Sequence, residues 1–148
     1  MRWAGPALAS TTVVVMVAAT PAAADWGATR WGMTKDEVQA AIGGKAVDDG
    51  GGNLIVRAPQ DVAGFQFDDV TYVFESGRLK RVTYSGRRVN FSALRSALTE
   101  QFGEPTELDT AARGHYLFMD AAKGNSIHAV DHRDNSVLLS FGQIENRF

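Results

Sequence analysis

Apolar positions first gather between Ala7 and Ala19, centred on Val13, Val14, Val15, Met16 and Val17, with Arg2 ahead of them. Pro21 then breaks the run, and Ala22, Ala23 and Ala24 supply small residues before Asp25. A positive start, a short greasy segment and an A-x-A site form a secretory signature, so residues 1–24 read as a signal peptide and 25–148 as the exported domain. The apolar run falls short of the ~20 residues that span a bilayer, and no second run of that length follows.

Beyond Asp25 the pattern becomes periodic. Thr34 followed by Glu37 has capping-box spacing, and Met33 with Val38 has that of a hydrophobic staple. This predicts a short helix through Ala40, Ala41 and Ile42, stopped by Gly43 and Gly44. Its inner stripe is Val38, Ala41 and Ile42. Residues 45–53 read as an Asp- and Gly-rich loop. Strands are expected at Leu54–Ala58, Gly64–Asp68, Val70–Glu75 and Leu79–Ser85, where large residues alternate with smaller or polar ones. Ser76 and Gly77 suit a hairpin turn. Leu79 is out of phase with Val82 and Tyr84, which points to a bulge near Lys80 and Arg81.

A second helix is expected from the cap at Asn90, with Phe91, Leu94, Leu98 and Phe102 along one face; Gly103 and Pro105 end it. Three further strands, His115–Met119, Ser126–Asp131 and Ser136–Phe141, close the pattern, joined by turns at Ala121–Asn125 and Arg133–Asn135. Connections this short exclude crossover helices, so the fold class is α+β, with two short helices packed on one face of an antiparallel sheet. The Ile42-Gly43 and Phe102-Gly103 helix ends suggest a duplicated helix-plus-strands unit.

The segments Trp31–Val38, Phe74–Leu79 and Phe102–Pro105 together resemble small exported bacterial proteins. Their fold is that of the β-lactamase inhibitor proteins and of the small lipoprotein in the outer-membrane β-barrel assembly machinery. The resemblance implies a helix-plus-antiparallel-sheet unit that presents a sheet face to another protein, or that inhibits a secreted enzyme. The lipidated cysteine of one group and the disulfides of the other have no counterpart here.

Cysteine is absent from all 148 residues, which excludes disulfides, a thiol nucleophile and thiolate metal sites. The charged residues are 15 basic and 17 acidic; Arg2 leaves with the signal, so the exported part carries 14 against 17, or −3. An exported chain of negative net charge is a poor fit to nucleic acid. Charge is nevertheless segregated: Ser76 to Thr99 has no acidic residue but includes Arg78, Lys80, Arg81, Arg87, Arg88 and Arg95. These six are the candidate binding residues for an envelope or extracellular protein with an acidic surface, alongside aromatics projecting from the uncovered sheet face. The opposing reading makes them solvated faces paired with Asp48, Asp49, Asp61, Asp68, Asp69 and Glu75.

His115, His128 and His132 are the raw material for a different class, a small metal-binding protein or enzyme. On one strand, His128 and His132 would lie about 13 Å apart, too far for one metal, unless the turn folds His132 back. Ser126 shares a strand face with His128 but lacks the G-x-S-x-G elbow of a hydrolase. Gly43-Gly44-Lys45 fails the spacing of a phosphate loop, and Asp48-Asp49-Gly50 that of a calcium loop. The expectation is therefore a non-enzymatic exported binding module that needs no cofactor and no metal.

Overall fold

A computed structural model describes residues 25–144; the signal peptide expected at residues 1–24 lies outside them. The strands are β1 (Asp25–Trp26), β2 (Thr29–Arg30), β3 (Val47–Asp48), β4 (Leu54–Val56), β5 (Gln60–Val62), β6 (Phe65–Phe67), β7 (Asp69–Glu75) and β8 (Arg78–Gly86). They continue with β9 (Thr106–Glu107), β10 (Gly114–Asp120), β11 (Asn125–Asp131) and β12 (Val137–Gln143). Helix α1 (Lys35–Ala41) precedes β3 and α2 (Phe91–Phe102) follows β8. The described residues thus form an α+β fold, as the patterning predicts.

Both helices start where their caps dictate. The Thr34 hydroxyl accepts from the Glu37 backbone N–H, and the Glu37 carboxylate reaches back to the Thr34 backbone, which completes the capping box. The Asn90 side chain accepts from the Ala93 N–H at 3.0 Å, and Gly103 closes α2 with φ 89°. Ser76 (φ 53°) and Gly77 (φ 76°) make the two-residue turn between β7 and β8, whose paired positive φ values match the strand twist. The register of those strands shifts after Val73, so Lys80 is the extra residue and Phe74 faces Leu79. That is the bulge the phase slip predicts.

Eight strands form one sheet in the order β3-β4-β7-β8-β12-β11-β10-β9, each neighbouring pair antiparallel. The order divides evenly. Helix α1 with β3, β4, β7 and β8 makes one unit, and α2 with β9, β10, β11 and β12 makes the other; their last strands meet in the middle. The β5–β6 hairpin is inserted into the first unit. This arrangement gives the suspected duplication a topological form.

One face of the sheet is sealed. Leu54, Val56, Val70, Leu79, Val82, Tyr84, Leu139, Phe141, Ile127, Ala129 and Phe118 share it by register and lie in one core with Val38 of α1 and Leu94 and Leu98 of α2. Phe91 and Phe102, the ends of the α2 stripe, pack against the same core. Trp26 stacks on Phe141 with ring centroids 3.6 Å apart, and its indole N–H donates to the Tyr84 hydroxyl at 2.7 Å. The Trp31 indole N–H donates to Asn125 Oδ1 at 2.9 Å. Burial pushes the Tyr72 phenol up to about 12, as expected for a ring whose charged form would lose hydration.

Thr34→Ala removes the acceptor for the Glu37 N–H and should lower the unfolding free energy by ~1 kcal/mol, read from urea denaturation. Thr34→Ser keeps the acceptor and should recover most of that loss.

Candidate functional site

Alternation in the strands sends the remaining side chains to the uncovered face. By register these are Val47, Ile55, Asp69, Thr71, Val73, Arg81, Thr83, Ser85, Leu138, Ser140, Gly142, Ser126, His128, Val130, His115, Leu117, Met119 and Thr106. No aromatic is among them. Every Phe, Tyr and Trp of the described residues belongs to the core or packs against it, so the expected exposed aromatics are instead the seal of the opposite face. The reason is physical: with only two short helices as cover, large rings are needed to fill that side.

A groove of about 840 Å³ crosses the uncovered face near the end of the β8–β12 seam, walled by Val73 and Ile144 and rimmed by Glu75, Lys80, Arg81, Ser126 and His128. Gly142 is its floor. A Cβ there would meet Arg81 Cγ at 3.3 Å and Ser126 Oγ at 3.7 Å, so the missing side chain is what lets these two flank the opening.

Of the six candidate basic residues, the groove brings together Lys80 and Arg81. Arg78, at the start of β8, donates from its guanidinium to the Gly32 carbonyl at 3.2 Å. Arg87 and Arg88 follow the other end of β8, with Arg87 about 20 Å along the strand from Arg81. The Arg87 backbone N–H donates to Asp68. Arg95 lies on α2 with its guanidinium 4.1 Å from the centre of the Tyr116 ring, on the sealed side. Among the described residues the ion pair is Lys35 with Asp48, and none of the six takes part in one. Glu75 faces Arg78 across β7 and β8 and rims the groove with Lys80 and Arg81, so an acid stands beside three of the six.

The histidines are arranged by register. His115 pairs with Val130 and Leu117 with His128, so His115 and His128 are diagonal neighbours on the uncovered face. His115 Nε2 and His128 Nδ1 lie 2.8 Å apart in a hydrogen bond, with ring centroids 5.1 Å apart. His132 follows β11 and lines a separate hollow of about 520 Å³ with His115, Val130 and Asp134. The folding-back considered for His132 does not bring three ligands together: no group of three or more His, Asp or Glu side chains among the described residues converges on one point. Ser126 directs its hydroxyl to the Gly142 carbonyl at 3.4 Å, leaving His128 to His115.

Burial pushes both imidazoles below their ordinary value; His115 and Arg81 add repulsion at His128, and His132 adds it at His115. Burial also raises Tyr84 on the sealed face. At the far turn the Ser136 hydroxyl and N–H hold Asp134 below the usual carboxylate range. No helix among the described residues is long and apolar enough to cross a membrane.

No known family model and no curated protein matches the chain. Among solved structures it is similar to a DUF4309 family protein, YjgB, from Bacillus subtilis subsp. subtilis str. 168. That similarity has a TM-score of 0.48 at 15% sequence identity and covers 74% of this chain and 78% of that one.

The depressed imidazoles have a stability consequence. Below their ordinary value of 6.5 the unfolded chain binds protons that the folded chain resists, so their contribution is complete above that pH and is lost as pH falls through the folded-state midpoints. The urea midpoint should therefore drop between about pH 7 and pH 5, and less steeply in a His115→Gln, His128→Gln double variant. An equal drop in both proteins would place its origin elsewhere.

Proposed function

We propose that this chain is a non-enzymatic exported binding module that holds an acidic segment of an envelope or extracellular protein against the uncovered sheet face. The observation that carries this reading is the groove: Lys80 and Arg81, in no ion pair among the described residues, stand beside Val73 and Ile144 over a glycine floor. Each exposed charge contact contributes only about 0–1 kcal/mol, so charge sets approach and register while the groove's shape and polar lining fix the bound segment.

Ser126 and His128 point to other partners, which favours recognition over nucleophilic chemistry. The likeness of Trp31–Val38, Phe74–Leu79 and Phe102–Pro105 to exported inhibitor and assembly proteins supports the same reading; inhibition of a secreted enzyme is one form this binding can take. Arg78, Arg87, Arg88 and Arg95 are then outer charges that steer an acidic partner from a distance.

Proteins from an envelope extract captured on the immobilised chain at low salt should be released at high salt. A Lys80→Glu, Arg81→Glu variant should weaken capture roughly ten-fold or more, since like charges at an interface are costly. Gly142→Leu, which fills the groove, should do the same, whereas Arg87→Glu with Arg88→Glu should change it far less. Undiminished capture by the Lys80, Arg81 variant would defeat the proposal.

A further inference from the structure

The groove does not use the imidazole pair as a pair. His128 borders the groove, His115 borders the smaller hollow, and their facing nitrogens meet on the ridge between. A 2.8 Å separation leaves room for one proton between two lone pairs, and both lone pairs converge on the same point when that proton is displaced.

We infer that His115 Nε2 and His128 Nδ1 form a two-imidazole site for a late first-row divalent cation, copper(II) most tightly. Imidazole is a ligand of choice for copper, nickel and zinc, and affinity rises toward copper in that series. With metal–nitrogen bonds of roughly 2.0–2.1 Å and ligand angles near 90–110°, the two nitrogens must stand about 2.9–3.4 Å apart. The observed pair needs to open by only a few tenths of an ångström, with each part-exposed ring turning so that its lone pair aims to one side of the line between the nitrogens. The framework beneath them is rigid: Val130, 7% exposed, lies opposite His115 and two residues along from His128, with Leu138 beside it on β12.

Two protein ligands leave the remaining positions to water or to an anionic group of a bound molecule. Arg81 and His132 are the cationic or ionisable groups closest in effect on the pair, and their repulsion keeps the affinity modest. His132 is not a ligand. The inference stands apart from the protein-binding proposal, because it uses neither Lys80 nor the groove floor.

Metal-free protein titrated with copper(II) in a non-coordinating buffer tests it. The expected result is one bound ion per chain, with an electron paramagnetic resonance spectrum of two equatorial imidazole nitrogens. His115→Ala and His128→Ala should each weaken binding by at least the roughly ten-fold that loss of even a supporting partner costs a metal site. His132→Ala should not weaken it. Should either alanine variant misfold, substoichiometric copper(II) added to the wild-type protein should broaden the His115 and His128 ring resonances before those of His132. A one-nitrogen spectrum, unchanged affinity in correctly folded His128→Ala, or first broadening at His132 would overturn the site.

Discussion

At the seam between β8 and β12, six residue pairs from Arg81–Gly142 to Gly86–Val137 join two units that each consist of a helix and a strand meander. Neither unit is a complete layer without the other, because a sheet edge left there would expose a long row of unpaired backbone groups. The seam is stabilised differently on its two sides. On the sealed side Val82, Tyr84, Leu139 and Phe141 are buried, and each such side chain contributes ~1.5–3 kcal/mol. On the uncovered side the Thr83 and Ser140 hydroxyls share a 3.0 Å hydrogen bond.

That asymmetry positions everything proposed for the molecule. Trp26 is recruited to the seam by stacking on Phe141, which turns a nominal N-terminal strand into a lid over the sealed side. Because the rings are consumed there, the opposite side is left with hydroxyls, imidazoles, aliphatics, Asp69 and Arg81. The bulge at Lys80 adds to this by shifting register so that Lys80 and Arg81 both reach the groove, while Gly142 across the seam keeps it open. Recognition and metal binding would thus occupy neighbouring parts of one face that meet at His128, which rims the groove and supplies one imidazole of the pair.

Much of this was legible in the chain. Thr34 with Glu37, and Asn90 followed by Phe91, Leu94, Leu98 and Phe102, carry local capping and periodicity signals that tertiary context did not override. The phase slip at Leu79 located the bulge. Less visible were β1, β2, β3, β5 and β9, each two or three residues long and too short to show a period. The β5–β6 turn was hidden for another reason: Ala63 occupies a left-handed conformation (φ 54°) that alanine seldom adopts. The site depended on register. The long separation of His128 from His132 along a strand could be reasoned out, but the diagonal meeting of His115 with His128 follows from which β10 residue faces Val130. Likewise the basic residues between Arg78 and Arg95 are continuous in sequence yet scattered in space, because they span a nine-residue strand, a loop and a helix.

The central claim, that one side of the sheet is sealed and the other open, is tested most directly by methyl relaxation in the presence of an inert paramagnetic co-solute. The account predicts strong relaxation at Ile55, Val73, Leu117 and Leu138 and protection at Leu79, Leu94, Ile127 and Leu139. Equal protection of both sets would mean that the supposedly open side is covered, and would contradict it.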